Sequence, residues 1–83
     1  SEDMAVKRAL KHAATGATVE EVRANFARQA DIDYLDQYAD PIGPQDLAVK
    51  KVNEVVVVEV AYEREIPLFG PAFLIYKLNA SSQ

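Results

Sequence analysis

The chain has 83 residues, a formal net charge of −4 from nine Lys and Arg against thirteen Asp and Glu, and no cysteine. A chain of this length encloses one small core, and with 49% hydrophobic and 27% charged residues it is globular in composition and too apolar to remain disordered. The acidic balance argues against nucleic acid, which needs a concentrated basic face, and against docking on an anionic membrane surface; the missing thiols exclude disulfides, thiolate metal sites and cysteine nucleophiles.

The chain opens abruptly at Ser1-Glu2-Asp3-Met4, as a trimmed or mature fragment does, and no run approaches the roughly 20 apolar residues of a membrane helix. Helical signal follows almost at once. From Met4 to Ala14, Val6, Leu10 and Ala13 recur at helical spacing while Lys7, Arg8 and Lys11 fall on the other side. Gly16 suits the left-handed residue just past the helix end. Thr18-Val19-Glu20-Glu21 reads as a capping box, with Thr18 accepting from the Glu21 N–H and the Glu21 carboxylate reaching back to the Thr18 N–H. The helix it opens runs to about Ala30 on a stripe of Val19, Val22, Phe26 and Ala30, with Arg23 and Arg28 outside.

Asp31–Tyr38 is either one more helical turn or an irregular linker, with Ile32 and Leu35 as its core contacts. Ala39–Gln45 holds two prolines and a glycine and is a loop. Beyond it the period changes from helical to two. Leu47 and Val49 begin a first strand, Val52-Asn53-Glu54 makes a tight connection, and Val56, Val58, Val60 and Tyr62 share one face of a second strand whose other face carries Glu59, Glu63 and Glu65. Pro67–Pro71 connects to a third strand over Ala72–Leu78, with Leu74, Tyr76 and Leu78 on one face and Phe73 and Ile75 on the other. Asn79–Gln83 reads as a polar tail. The expected fold is α+β, one domain over residues 1–83: two N-terminal helices packed on one face of a three-stranded antiparallel meander.

Chemistry-bearing residues are few. His12, the single histidine, stands near a helix C-terminus, where imidazole complements the helix dipole, and reads as a surface or capping residue. Asp31, Asp33, Asp36 and Asp40 fail the calcium-loop pattern, because the sixth position from Asp31 is Asp36 instead of glycine and the twelfth is Ile42 instead of glutamate. Glu59, Glu63 and Glu65 could form an acid–base pair, but at the strand period of two on a wet face they read as exposed charges that discourage edge pairing, with Lys77 a partner for one of them. No catalytic, cofactor-binding or metal-binding residue is therefore assigned. Phe69 lies in a Pro-bounded loop and is either tucked over the core edge or displayed to a partner. With Leu68, Phe73 and Ile75 it forms the candidate partner-binding set.

Four stretches, Val6–Leu10 (VKRAL), Val22–Asp36 (VRANFARQADIDYLD), Asp46–Lys51 (DLAVKK) and above all Val56–Gly70 (VVVEVAYEREIPLFG), resemble a family of short proteobacterial envelope proteins catalogued as domain of unknown function 4845. The most specific part is Tyr62–Phe69, similar to the family's tyrosine, charged residue and aliphatic-Pro-Leu-Phe pattern. Ala39–Gln45 is richer in proline and glycine than that pattern. The resemblance implies a hydrophobic N-terminal helix, similar to that of type IV pilins and absent from this chain, which would run into the first helix here, anchor the protein in the inner membrane and leave this soluble domain facing the periplasm. It implies no catalytic residues.

The expected function is thus a non-enzymatic, membrane-anchored periplasmic interaction domain with a protein partner in the cell envelope, as a pilin-like accessory of a secretion or pilus system. A regulatory partner of signal peptidase I, beside whose gene family members are often encoded, is the alternative. Exposed sheet edges leave a route to a homo-oligomer.

Overall fold

The computed structural model describes residues 1–83. In chain order the elements are helix α1 (Glu2–Ala13), helix α2 (Val19–Ile32), two single-turn 3-10 helices (Leu35–Gln37 and Pro44–Asp46), and strands β1 (Ala48–Val52), β2 (Val55–Pro67) and β3 (Phe73–Ser81). The strands form one antiparallel sheet in the order β1-β2-β3. The α+β meander expected from the sequence is the observed fold.

Helix α1 starts where Ser1 Oγ accepts from the Met4 N–H, with Glu2 and Asp3 in its first turn and Lys11 and His12 in its last, charges that complement the helix dipole. It buries Ala5, Val6, Ala9, Leu10 and Ala13. Helix α2 begins at Thr18, whose Oγ1 accepts from the Glu21 N–H at 3.1 Å. The reciprocal half of the box is displaced by one residue: the Glu21 carboxylate accepts from Ala17 N–H at 2.7 Å. Gly16 does not take the expected left-handed conformation. Its role is steric, because a Cβ there would meet the backbone nitrogen of Val22 at 2.8 Å where α2 begins.

Val22 and Phe26 are the buried residues of α2, whereas Val19 is exposed. Of the two core contacts expected after it, Leu35 is buried, but Ile32 is 65% exposed. The cause is Tyr34, which takes a left-handed backbone (φ 56) and turns the chain so that the following 3-10 turn, instead of the helix end, faces the core. Ile42 anchors the loop that follows. The core is completed from the sheet by Leu47, Val58 and Val60, and no polar side chain is buried. Val57 is buried on the opposite sheet face, directly across from Lys50 of β1, whose ammonium pairs with Glu59 at 2.9 Å.

Asn53 and Glu54 form the two-residue β1–β2 turn with φ of 51° and 68°. Two positive values match the type I′ turn, whose twist suits a hairpin. The polar tail expected at Asn79–Gln83 is mostly strand. Asn79, Ala80 and Ser81 pair with Ala61, Val60 and Glu59, and the Ser82 N–H donates to Val58 O at 2.9 Å. Main-chain pairing does not depend on side-chain polarity, and β2 is long enough to supply partners to its neighbour's end.

Candidate functional site

Strand β2 has 13 residues, but β1 pairs with it only from Val55 to Glu59, while β3 pairs from Glu59 to Pro67. The distal half of β2 is therefore a two-stranded ribbon. It lengthens the molecule to 49 Å, against 26 and 19 Å in the other directions. From Glu65 to Lys77 no residue is buried.

The register fixes its two faces. Pro67↔Phe73 and Glu65↔Ile75 share one face with Glu63↔Lys77, and Ile66↔Leu74 and Arg64↔Tyr76 share the face that, nearer the core, meets the helices. The connecting turn closes with Leu68 N–H donating to Ala72 O (2.9 Å) and Ala72 N–H to Phe69 O (3.0 Å). Gly70 in this turn has φ +54, a conformation that glycine adopts without strain. Phe69 is 80% exposed, so of its two sequence readings the ring is displayed and does not cap the core. Leu68, Phe73 and Ile75 are exposed as well, and the four candidate residues lie together at one end of the molecule.

The ribbon is held at its root by the start of α1. Arg64 makes a bidentate pair with Glu2, Nε to Oε1 at 2.7 Å and Nη2 to Oε2 at 2.5 Å, with side-chain exposures of only 17% and 13%. Its Nη1 donates to Glu63 O at 2.7 Å, and its guanidinium lies 5.0 Å from the centre of the Tyr62 ring. Tyr62 Oη donates to Asp3 Oδ1 at 2.7 Å. The Glu2 hydrogen bonds raise the Arg64 pKa above its ordinary value. Burial, with the hydrogen bond to Asp3, pushes the Tyr62 hydroxyl well above the usual phenol range. Two acidic residues of one helical turn thus fix two consecutive helix-facing residues of β2. The latch orients the ribbon relative to α1.

The remaining polar candidates are dispersed. Glu63 and Glu65 are exposed, and Lys77, across from Glu63, makes no ion pair; the cross-strand pair that forms is Lys50–Glu59. Asp33 accepts from Arg8 Nε (3.1 Å) and Gln29 Nε2 (2.9 Å), and those bonds, Gln29 first, hold its carboxyl below the usual range. His12 is exposed on α1.

The family described as "Domain of unknown function (DUF4845)" matches residues 1–77, which take in both helices and the whole apolar ribbon. The chain belongs to this family. Comparison with curated proteins and with solved structures yields no match. The match covers the Tyr62–Phe69 stretch on which the resemblance chiefly rests.

In this DUF4845 domain three exposed apolar residues of the ribbon escaped the site expectation: Ile66, Leu74 and Tyr76. Alternation assigns them correctly to the helix-side face. What alternation omits is that α1 meets this face at Tyr62 and Arg64 and leaves Ile66, Leu74 and Tyr76 exposed. A readable signal did exist. The eleven residues Ile66–Tyr76 carry no charge, although one in four residues of the chain is charged.

Proposed function

We propose that this DUF4845 domain is a non-enzymatic interaction domain of a membrane-anchored envelope protein, facing the periplasm and working through the ribbon Ile66–Tyr76. One observation carries the contact surface: an uncharged stretch exposed on both strand faces and across its turn, standing off a core that has no need of it for burial. Exposed apolar patches of that kind mark contact sites, and a protruding aromatic is a common anchor. The anchoring and the compartment rest on the resemblance. A hydrophobic helix entering α1 would leave the bilayer near Glu2, beside the root of the ribbon. In this reading the protein serves a secretion or pilus assembly as a pilin-like accessory.

Photocrosslinking in cells tests it. A photoreactive residue at position 69 of the membrane-anchored protein should capture a specific envelope component, while one at position 32, also exposed but on α2, should not. Capture of pilus or secretion subunits supports the accessory role, and capture of signal peptidase I alone replaces it with a regulatory one. Equal labelling from both positions, or none from either, refutes the ribbon as the contact surface.

A further inference from the structure

We infer that the free edge of β2 between Ala61 and Glu65 receives an extended strand from another protein, one with lysine or arginine at alternate positions. This surface is separate from the ribbon tip, and the inference does not depend on the reading of Ile66–Tyr76 as a contact site.

The edge is open for a reason that lies within the chain. β1 pairs with β2 only as far as Ala48↔Glu59, because the residues before Ala48 are drawn off into the 3-10 turn Pro44–Asp46 and the buried Leu47. Parity decides which main-chain groups this leaves free. Ser82 N–H donates to Val58 O, so even-numbered residues of β2 bond toward β3 and odd-numbered ones toward β1. Beyond Glu59, the odd-numbered Ala61, Glu63 and Glu65 have no β1 residue opposite them, and all three are exposed. Their N–H groups and the carbonyls of Ala61 and Glu65 therefore have no ladder partner, while the Glu63 carbonyl accepts from Arg64 Nη1. Pro67, which offers no N–H, closes the edge. At about 3.3 Å per residue the free stretch is roughly 13–16 Å long, and main-chain pairing to such an edge is a common mode of peptide capture.

A groove runs beside the edge. About 540 Å³ in volume, it has Tyr38, Ala39 and Asp40 on one wall and Glu63, Glu65 and Pro67 on the other. An adjoining hollow, lined by Asp40 and Ile42 together with Val60 and Tyr62, places the Tyr38–Asp40 bend on the helix side of the sheet. A strand laid on the edge thus sends alternate side chains to the outer face, beside Glu63 and Glu65, and into the groove, beside Tyr38 and Asp40.

Charge selects the occupant. Asp40, Glu63 and Glu65 take part in no ion pair; Lys77, opposite Glu63 on β3, makes none either, and Arg64 is committed to Glu2. Opposite charges directly across a sheet favour pairing and like charges oppose it. Residues paired with Glu63 and Glu65 are two apart, which is the spacing of the basic positions. A second copy offering the same edge would set carboxylate against carboxylate, so the charges that oppose self-pairing admit a basic strand.

A labelled peptide, Thr-Lys-Val-Lys-Val-Lys-Thr, tests this when titrated into the 83-residue protein and followed by fluorescence anisotropy and amide hydrogen exchange. Saturable binding is expected, with exchange slowed at Ala61, Glu63 and Glu65 and unchanged at Phe73 and Ile75. Glu63→Gln combined with Glu65→Gln should weaken binding about threefold or more, and Phe69→Ala should leave it unaltered. The same peptide with glutamate for lysine should not bind. Nor should one methylated at its main-chain nitrogens, which keeps the charges and loses the ladder donors. No binding at millimolar peptide, equal binding of the glutamate or methylated peptide, or protection confined to Ile66–Tyr76 overturns the inference.

Discussion

Cutting the latch between Arg64 and Glu2 should cost far more than its place near a chain end suggests. Ion pairs in full contact with water contribute about 0.2–1 kcal/mol, whereas removing one partner of a buried pair costs about 3–5 kcal/mol because the other charge is stranded. With side-chain exposures of 17% and 13% and two parallel N–H···O bonds, the Arg64–Glu2 pair lies nearer the buried limit. Arg64→Met should therefore destabilise by about 2–3 kcal/mol, which in a domain of this size lowers the melting temperature by more than about 10 °C. A double-mutant cycle with Glu2→Gln isolates the pair from the contacts of Arg64 with Tyr62 and the Glu63 carbonyl. Urea unfolding of the four proteins, followed by far-ultraviolet circular dichroism, should give a coupling of about 2 kcal/mol. A coupling below about 0.5 kcal/mol would mean that the first turn of α1 frays in solution and that the ribbon is not tied to it.

Three further predictions address the rest of the fold. Phe26→Ala empties the largest fully buried side chain and should cost about 3–5 kcal/mol, a large part of the roughly 4–12 kcal/mol available to 83 residues; a loss under about 1.5 kcal/mol in urea unfolding would contradict the core described here. Glu54→Gly should raise the urea midpoint, because relief of a left-handed residue is worth about 1–2 kcal/mol and exceeds the added chain entropy of about 0.5–1 kcal/mol. A lower midpoint would show that the positive-φ turn is not the one populated. For Asp33 the folded pKa lies below the unfolded one, so its contribution is fully present above the unfolded value of about 3.9 and is lost as pH falls through the lower folded value. The stability gap between the native protein and Asp33→Asn should be constant near neutrality and close on acidification, and a gap that widens in acid would refute the assignment.

What the sequence revealed follows from which interactions are local. Periodicities of 3.6 and 2 mark α1, α2 and β2 because each buries one face, and the Thr18 cap and the Asn53-Glu54 turn are decided within four residues. The misses at Gly16 and Ile32 turn on backbone conformations that residue type does not announce, and those in the third strand are non-local. Ile32 has the right spacing for the core, yet the left-handed Tyr34 sends the chain elsewhere. Asn79–Ser81 have tail-like side chains, yet β2 supplies main-chain partners. Leu74 and Tyr76 occupy the face that alternation predicts, but how far a face is covered depends on how α1 lies across the sheet, and that is set by the contacts of Glu2 and Asp3 with Arg64 and Tyr62 about sixty residues away.

The same geometry separates stability from contact. The twelve residues of the core cluster all lie before Ala61, whereas the apolar ribbon begins at Ile66 and shares none of them. A small domain that displays a two-stranded apolar ribbon risks pairing and aggregation along its edges. Here Glu63, Glu65 and Lys77 stand at the root and prolines lie on either side of the tip, features that oppose strand addition without shortening the ribbon. Retaining such a surface and guarding its edges is consistent with selection for contact, because truncating Phe69, with so little of its ring packed against the fold, should change stability by no more than about 0.5 kcal/mol. Substitutions along Ile66–Tyr76 can therefore separate binding from folding in a way that no substitution in α1 or α2 allows.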